Sequence, residues 1–259
     1  MSIPIIIVGA AGRMGRTIRA LVEAADDLTL VGMVDRAQYL PEAPAGCVAG
    51  EDVDAVAAAA PKGTVMVDFS SPESTMKSAA AAVKHSVGLV IGTTGLDAGQ
   101  KAQLAELAKS APIFLSPNMS VGVSVLQKVL PLIAKGLGED YDIDIVEIHH
   151  NRKKDAPSGT ALRLGEAVAE ARGWDLEAVR NSRRDGIIGP RPKVEIGIQA
   201  VRGGDVVGVH TVYFMGPGEC IEVTHRAESR DNFARGALRA CRWLAQKEAG
   251  QLYVMADMF

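Results

Sequence analysis

Cysteine is scarce in this chain, and the spacing of the cysteines does not suggest disulfide bonds or a metal site. Cys47, Cys220 and Cys241 are isolated from one another and odd in number, and no CxxC pair or Cys/His ligand cluster is present. This spacing argues against a disulfide framework and against a zinc site. We therefore predict reduced thiols in a cytoplasmic protein that binds no metal.

An excess of one charge and long apolar runs are also missing. The net charge is -3, so the chain has no global attraction for phosphate backbones or anionic membranes. The apolar run at 3–8 is too short for a membrane span or a signal segment, and no basic stretch precedes it. With 259 residues, of which 47% are hydrophobic, the chain can bury a core in one or two domains. We expect neither nucleic acid nor membrane as a partner.

In the first half of the chain, short apolar runs alternate with helical patterns. Strands that are apolar throughout and separated by helices indicate a parallel sheet with both faces covered. The segment 36–62, rich in Ala, Pro and Gly, predicts one short helix. The predicted strands are 3–8, 28–35, 64–69, 87–92 and 112–116, and the predicted helices are 13–25, 73–85 and 97–109.

The pattern changes near residue 120. A helix interrupted by Pro131, a strand of period two at 141–149 and a second helix are followed by three runs linked by GGD and MGPG, which are hairpin-type links. We predict a largely antiparallel sheet and an α+β domain at 121–229. The other predicted elements are helices at 123–137, 159–172 and 230–247 and strands at 193–202, 205–214 and 219–227.

The last predicted helix is amphipathic. One face carries Phe233, Ala237, Leu238, Cys241 and Leu244. A single helix that closes a sheet domain is expected to pack on the first domain. The first domain is therefore predicted to span 1–120 and to be completed by 230–259.

A glycine turn lies between the first strand and the first helix. GAAGRMG (9–15) has G-x-x-G-x-x-G spacing, which lets backbone N–H groups at a helix N-terminus approach a pyrophosphate. Asp35 ends the second strand about twenty residues further on, where an acid accepts hydrogen bonds from a ribose hydroxyl. Dinucleotide binding is the interpretation that we prefer to a merely structural turn. Asp35 favours NAD, whereas Arg36 and Arg13 favour the 2′-phosphate of NADP, so both NADH and NADPH stay open.

Three further loops follow predicted strands at the sheet edge where ligands of open parallel sheets bind. They are small and polar, at 68–75, 92–95 and 116–122. Each can offer backbone groups and hydroxyls to a nicotinamide ribose or ring. Each also has an ordinary structural explanation as a turn or helix cap, as for Ser70 or Ser71 before Pro72.

The stretch EIHHNRKKDAPSGTA (147–161) has four possible interpretations. Metal binding is disfavoured because adjacent strand residues His149 and His150 point to opposite faces. Nucleic-acid binding is disfavoured because the basic run 152–154 is short, has no interleaved aromatics and lies in an acidic chain. A solvated loop is the third interpretation, and an anionic substrate site is the fourth.

The anionic substrate site accounts for most of this stretch. Lys153 offers a cation and a proton, and His149 can share charge or donate a hydrogen bond. Ser158 is a natural helix cap, and the N–H groups of Gly159 and Thr160 can bind a carboxylate. Cations beside a helix N-terminus suit a small dicarboxylate.

The ordered motifs resemble the dihydrodipicolinate (4-hydroxy-tetrahydrodipicolinate) reductase family over nearly the whole chain. The element HH-x-x-K-x-DAPSGT is the most specific of them. The resemblance implies a Rossmann-like domain completed by the C-terminal helix, an α+β domain whose sheet builds a homotetramer, and a dicarboxylate heterocycle as substrate. The motifs are GAAGRMG, DFSSPEST, GTTG, SPNMSVGV, E-x-HH-x-x-K-x-DAPSGTA and VRGGDVVGVHTVYF.

The same resemblance assigns site residues. Lys153 matches the catalytic lysine and His149 the first histidine of the motif, whereas His150, Gly159 and Thr160 match substrate contacts. Met119 stands where many members have an aromatic, and Asp35 where some have glutamate. The positions that match cofactor contacts are Gly9, Ala10, Ala11, Gly12, Arg13, Met14, Gly15, Asp35, Arg36, Gly92, Thr93, Thr94, Ser116, Pro117, Asn118 and Met119.

The implied activity is reduction of 4-hydroxy-tetrahydrodipicolinate by NADH or NADPH in diaminopimelate and lysine synthesis. Lys153, helped by His149, would supply the proton and stabilise charge. One alternative is another two-domain dehydrogenase of an amino-acid-derived substrate, such as an aspartate or homoserine dehydrogenase. Another is a non-catalytic dinucleotide sensor, which would leave Lys153 and the histidines unexplained.

Overall fold

The structure, a computed structural model, describes residues 2–40, 42–229 and 231–259. The strands are β1 (Ile3–Val8), β2 (Leu28–Val34), β3 (Val48–Gly50), β4 (Val65–Asp68), β5 (Gly88–Ile91), β6 (Ile113–Leu115), β7 (Asp142–His149), β8 (Arg180–Asn181), β9 (Ile196–Arg202), β10 (Gly208–Gly216), β11 (Glu219–Ala227) and β12 (Leu252–Tyr253). The helices are α1 (Arg13–Glu23), α2 (Val53–Ala58), α3 (Pro72–His85), α4 (Ala98–Leu107), α5 (Val121–Leu137), α6 (Gly159–Ala171), α7 (Leu176–Val179) and α8 (Asp231–Leu244). Two 3-10 turns lie at Ala37–Tyr39 and Met255–Met258.

The described chain divides into two compact units. The first comprises residues 2–120 and 231–259, and the second comprises residues 121–229. The first unit holds a seven-stranded sheet in the order β12-β6-β5-β4-β1-β2-β3, and all neighbouring strands in it pair in parallel. The predicted parallel sheet is therefore confirmed. β1 lies between β2 and β4, so the strand order reverses there, and ligands of such sheets bind outside the carboxyl ends at this point.

Alternate residues of β1 serve two separate apolar cores. Ile5 and Ile7 pack on one side with residues of α1 and α8, and Ile6 and Val8 pack on the other with residues of α2 and α3. Side chains alternate between the faces of a strand, and both faces here are covered, so the strand is apolar at every position. This explains why the sequence showed a continuous run rather than an alternation.

The last segment of the chain completes the first unit. Helix α8 packs on β4, β5, β6 and α1, and β12 pairs with β6 at the edge of the sheet. Gly236 is required in α8 because a Cβ there would overlap the backbone oxygen of Met119. The predicted helix start at Arg230 lies outside the described residues, and the helix ends at Leu244 rather than at Lys247. Its buried face is Ala234, Gly236, Ala237, Leu238, Ala240, Cys241 and Leu244.

The second unit holds a five-stranded mixed sheet in the order β11-β10-β7-β9-β8. β10 pairs antiparallel with both β11 and β7, whereas β9 pairs parallel with β7 and β8. The predicted hairpin across MGPG is confirmed as the β10–β11 pair. The predicted hairpin across GGD is wrong, because β7 lies between β9 and β10. The chain does reverse at GGD, but β7, α6 and β9 form a parallel crossover that places β9 on the other side of β7.

Two helical predictions also need correction. Helix α5 is continuous through Pro131, although proline removes one backbone hydrogen bond. Leu130 and Ala134 on either side are fully buried, so packing holds the helix across that gap. The segment 36–62 contains not only the predicted short helix, α2, but also the edge strand β3. No helix in the part of the chain that the structure describes has the length and apolarity needed to cross a membrane.

Candidate active site

The glycine turn of the first unit is shaped by close backbone approaches. Gly9 has φ +82°, and a Cβ there would lie 2.7 Å from the backbone oxygen of Phe69. A Cβ on Gly15 would overlap the Gly9 oxygen and the Ala10 backbone. Helix α1 can therefore start directly against β1, and its N-cap Gly12 makes no side-chain cap. The first N–H groups of a helix have no intrahelical partner, so this terminus can receive an anion.

Asp35 holds the turn in place. Its Oδ2 accepts a hydrogen bond from Ala11 N at 2.8 Å, and its Oδ1 accepts one from Arg36 N at 2.8 Å. The sequence predicted a carboxylate here for a ribose, and the structure shows in addition that it ties the end of β2 to the turn after β1. The Arg36 guanidinium lies over the Tyr39 ring, 4.6 Å from its centroid.

A cleft of about 1080 Å³ opens over this turn. Five predicted cofactor residues line it: Gly9, Ala11, Gly12, Asp35 and Arg36. Ala10 and Gly15 are buried beneath the turn, and Arg16 rather than Arg13 lines the cleft. The other lining residues are Val8, Val34, Gln38, Tyr39, Glu51, Phe69, Ser70, Ser71, Glu73 and Ser74.

Buried polar groups join two of the predicted loops. Asp68 ends β4 and is fully buried, and its Oδ1 accepts hydrogen bonds from Ser70 N at 2.9 Å and Thr93 Oγ1 at 3.1 Å. Burial raises the pKa of Asp68, although the hydrogen bonds from Ser70, Ser78 and Thr93 oppose it. The loops after β4 and β5 are thereby fixed to each other. Gly92, Thr93, Thr94 and the residues Ser116, Pro117, Asn118 and Met119 are not among those that line the cleft, and Met119 packs in the core.

In the second unit, the alternation of β7 places functional side chains on its buried face. Ile143, Ile145, Glu147 and His149 face the same side and are all buried. His149 is the last strand residue, whereas His150 lies beyond the strand and its backbone N bonds to Val206 O at 2.8 Å. The two histidines therefore occupy different environments.

Glu147 is the centre of this site. It is fully buried, and its Oε2 lies 2.5 Å from His149 Nδ1. Arg202 donates to both carboxylate oxygens, at 2.8 and 2.7 Å, because β9 runs parallel to β7 and its last residue pairs with His149. Burial alone would raise the pKa of Glu147, but hydrogen bonds with His149 and Arg202 lower it to about 2. The carboxylate is therefore charged at neutral pH.

The start of α6 is fixed to the same carboxylate. Ser158 N donates to Glu147 Oε1 at 3.0 Å, and Ser158 Oγ caps the helix by accepting from Ala161 N at 3.1 Å. A further hydrogen bond of 2.9 Å joins Ser158 Oγ and His210 Nε2. Burial, with a further contribution from the neighbouring His149, lowers the pKa of His210 to about 4. His210 is thus neutral at pH 7, and its ring stacks edge-on against His149 with centroids 5.1 Å apart.

Lys153 lies in the loop between His149 and α6. Its Nζ forms an ion pair with Asp155 Oδ1 at 2.9 Å, and its side chain is 21% exposed against 59% for Asp155. This pairing lowers the pKa of Asp155. Gly159 is exposed at the first position of α6, with open space where a side chain would be, and Thr160 follows it. A cation, an imidazole and a helix N-terminus therefore belong to one short, continuous segment.

Sequence reasoning missed three residues of this network: Glu147, Arg202 and His210. The period-two pattern of β7 was a signal for Glu147, since it shares a face with His149. Arg202 and His210 are distant in the sequence, and only the β7–β9 and β7–β10 registers bring them to this point.

A parallel sheet with a glycine turn at its switch point, together with a second unit that presents a cation and histidines, defines a two-domain NAD(P)H-dependent oxidoreductase. The chain belongs to the dihydrodipicolinate reductase family. The family description "Dihydrodipicolinate reductase, N-terminus" matches residues 3–119, and "Dihydrodipicolinate reductase, C-terminus" matches residues 122–259.

Individual relatives agree with this assignment. The chain is 59% identical over 259 residues to the 4-hydroxy-tetrahydrodipicolinate reductase of Nitratidesulfovibrio vulgaris (strain DSM 19637 / Miyazaki F), with 100% of both chains covered. It is 58% identical over 260 residues to the enzyme of that name from Desulfovibrio desulfuricans (strain ATCC 27774 / DSM 6949 / MB), again with 100% of both covered. Its fold matches dipicolinate-bound dihydrodipicolinate reductase from Paenisporosarcina sp. TG-14, with a TM-score of 0.81, 23% identity and 100% of each chain covered.

Proposed function

We propose that this protein reduces 4-hydroxy-tetrahydrodipicolinate to tetrahydrodipicolinate with NADH or NADPH, in the synthesis of diaminopimelate and lysine. The full-length relatives carry this name. The observation that carries the proposal is the segment from His149 to Thr160, which combines a proton-bearing cation with a helix N-terminus. A small dicarboxylate is the ligand that suits this combination.

The first unit is proposed to bind the dinucleotide. The cradle at Gly9 and Gly15, which a side chain would fill, fits a pyrophosphate against the start of α1. When bound, the reduced nicotinamide supplies a hydride to the substrate. Asp35 and Arg36 are proposed to contact the adenosine ribose. The cofactor contacts that the resemblance gives at Gly92, Thr93, Thr94 and 116–119 remain part of this proposal.

The second unit is proposed to bind the substrate and supply the proton. Hydride addition to an unsaturated carbon must be accompanied by a proton at its neighbour, and the hydrated substrate also loses water. We assign the proton to Lys153 Nζ, with His149 sharing the developing charge. Asp155 is largely exposed, so its ion pair with Lys153 is weak, and a substrate carboxylate can replace it.

Substrate carboxylates are proposed to bind at the α6 start, through Ser158, Gly159 and Thr160, with His150 nearby in the sequence.

Members of the family are expected to form homotetramers, and we propose the same assembly here, together with a cytoplasmic location. Sedimentation equilibrium tests the assembly, and a monomer or dimer at micromolar concentration would contradict it.

The activity is tested by NADPH and NADH oxidation in the presence of dihydrodipicolinate synthase and its substrates. We expect oxidation that depends on this protein, above the rate with synthase alone. Oxidation no faster than that background, in a protein that still binds NADPH, would contradict the proposal and favour a dinucleotide sensor.

The assignment of Lys153 is tested by Lys153→Ala. Loss of a positioned acid lowers rates by ~10²–10⁴-fold, so kcat should fall by that factor while the Kd for NADPH stays unchanged. Lys154→Ala is the matched control, because Lys154 is the adjacent lysine and is exposed. Equal turnover in the two variants would overturn the role of Lys153.

A further inference from the structure

The Glu147 carboxylate connects three segments of the second unit. It lies on β7 beside His149, receives the guanidinium of Arg202 at the end of β9, and accepts the backbone N–H of Ser158 immediately before α6. These four hydrogen bonds occupy both oxygens. No bulk water reaches the side chain, since its exposed fraction is 0%. The position of the carboxylate is therefore set by Arg202 and by two groups of the 149–160 segment, His149 and Ser158.

This contact decides which nitrogen of His149 is available. Because Nδ1 is bonded to Glu147, the ring must use Nε2 for any other partner. Gly208 leaves the space beside Nε2 open, since a Cβ there would lie 3.0 Å from that nitrogen. A carboxylate on the far nitrogen is the general means by which proteins fix the tautomer and the orientation of a functional imidazole.

The same carboxylate fixes the helix that would hold the substrate. Ser158 N bonds to Oε1 while Ser158 Oγ caps α6, so the first turn of α6 cannot move relative to β7 without breaking a buried, charge-assisted hydrogen bond. Glu147 itself does not exchange protons near neutral pH, because its pKa is lowered to about 2 by His149 and Arg202 against the effect of burial. It is suited to hold other groups rather than to donate or accept a proton.

We propose that Glu147 is a positioning residue for the reduction, which holds the His149 imidazole and the first turn of α6 in one frame through a carboxylate clamped by Arg202. This inference rests on the proposed function. The inference adds to the proposed function that one residue outside the 149–160 segment, Glu147, positions two groups: the His149 imidazole, which acts with the proton donor, and the start of α6, which binds the substrate carboxylate. Loss of the charge should therefore affect kcat and the KM for the dicarboxylate together, and should leave dinucleotide binding unchanged.

The test compares Glu147→Gln with Glu195→Gln. Both wild-type residues are buried glutamates of the second unit that are paired with arginine, but Glu195 precedes β9, whereas Arg202 ends it. At about 3.3 Å per residue, these two ends of β9 are roughly 20 Å apart. For Glu147→Gln we expect kcat to fall by about 10–100-fold and the substrate KM to rise, as is typical when an outer partner of a functional imidazole is lost. The Kd for NADPH should match the wild type.

Thermal unfolding of both variants separates an effect on catalysis from a loss of stability. Glu195→Gln should lower the midpoint of thermal unfolding but keep wild-type kcat and KM. If Glu147→Gln behaves like Glu195→Gln, with lower stability and normal kinetics, the positioning role is wrong. If the wild type itself shows no reduction, it is the proposed function that fails, and the spectroscopic measurement below still decides whether Glu147 holds the His149 imidazole.

A second measurement does not depend on whether the variant folds. Long-range ¹H–¹⁵N spectra of ¹⁵N-histidine-labelled wild-type protein report which nitrogen of His149 carries the proton, with His149→Gln used to assign the signal. The clamp predicts a proton on Nδ1 with a strongly downfield ¹H shift. A neutral His149 with its proton on Nε2 would overturn the proposal, whatever the kinetics of the variants.

Discussion

The two units use opposite means to build a site for an anion. In the first, close backbone approaches shape the glycine turn, and the requirement is that Gly9 and Gly15 carry no side chain. In the second, a network of side chains forms the site, buried except for the partly exposed Arg202, and the requirement is that Glu147, Arg202, His149 and His210 are all present. A backbone site is damaged by adding atoms, whereas a side-chain network is damaged by removing them. This difference gives predictions of opposite kind.

Adding a methyl group to the glycine turn should have the largest effect. Gly15→Ala places a Cβ against the Gly9 oxygen and the Ala10 backbone, which cannot move aside as a flexible side chain can. We expect loss of NADPH binding by fluorescence titration, by at least about 100-fold, or ~3 kcal/mol.

Gly136→Ala is the control for this substitution. Gly136 also lies in a helix, but open space surrounds its would-be Cβ, so alanine should be neutral or stabilising. Unchanged NADPH affinity in Gly15→Ala would show that the turn tolerates the methyl group. The claim that the first unit requires a bare backbone at this position would then be wrong.

Removing one side chain from the buried network should have the next largest effect. Arg202→Ala leaves the fully buried Glu147 without its clamp, and a buried charge that loses its partner costs about 3–5 kcal/mol of unfolding free energy. The exposed pair Arg242–Asp27 of the first unit provides the contrast, with Arg242→Ala expected to cost ~0–1 kcal/mol. Urea unfolding of both variants measures the difference, and similar losses would contradict the contrast between buried and exposed pairs.

Acid should weaken the second unit through His210. Its folded pKa of about 4 is below the usual 6.5, so the unfolded chain binds the proton more tightly. The contribution of neutral His210 to the free energy of unfolding is complete above pH 6.5 and is lost as the pH falls from 6.5 towards 4. The full shift corresponds to about 3 kcal/mol, of which roughly 2 kcal/mol should be lost by pH 5.

His210→Gln removes this titration and keeps a group that can bond to Ser158 Oγ. Its unfolding free energy should fall less than that of the wild type between pH 7 and pH 5 in urea titrations. His225, whose pKa is also lowered by burial, retains its own share of the pH dependence. The same slope in both proteins would remove His210 from the explanation.

Two serine caps give the smallest expected contrast. Ser71 caps α3 beside the cleft through one hydrogen bond of 3.3 Å, whereas Ser158 caps α6 at 3.1 Å and also bonds to His210. Ser71→Ala should cost about 0.5–1 kcal/mol, and Ser158→Ala should cost more, about 2 kcal/mol, because it also leaves buried groups without a partner. Equal losses in thermal unfolding would mean that the bond to His210 contributes nothing.

The same contrast explains how far the sequence predicted the molecule. Continuous apolar runs with helices between them predicted β1, β2, β4, β5 and β6 to within a residue or two, because both faces of the sheet are covered. The strands that were missed are β3, β8 and β12, which have two or three residues and lie at the sheet edges. Such short strands are set by their neighbours rather than by a periodic pattern of their own.

The candidate site shows the same division. Gly9, Gly12 and Gly15 could be found from spacing, since a backbone cradle leaves glycine in the sequence. Asp35 could be found from its distance along the chain, but not its bond to Ala11 N. Arg202 and His210 stand in the motif VRGGDVVGVHTVYF, but their connection to Glu147 could not be found, because it depends on a strand order in which β7 separates β9 from β10. The GGD turn pointed to the wrong neighbour.

The position of α8 and β12 has a consequence for how the protein folds while it is being translated. The face of the first sheet that α8 covers, and the edge of β6 that β12 pairs with, are made by residues 2–120, but the segments that cover them are synthesised only after the second unit. The nascent first unit therefore leaves the ribosome with an apolar face and an unpaired strand edge exposed. Both stay exposed while the whole second unit is translated. Chaperone capture should concentrate in that interval, when truncated chains present this face to solvent.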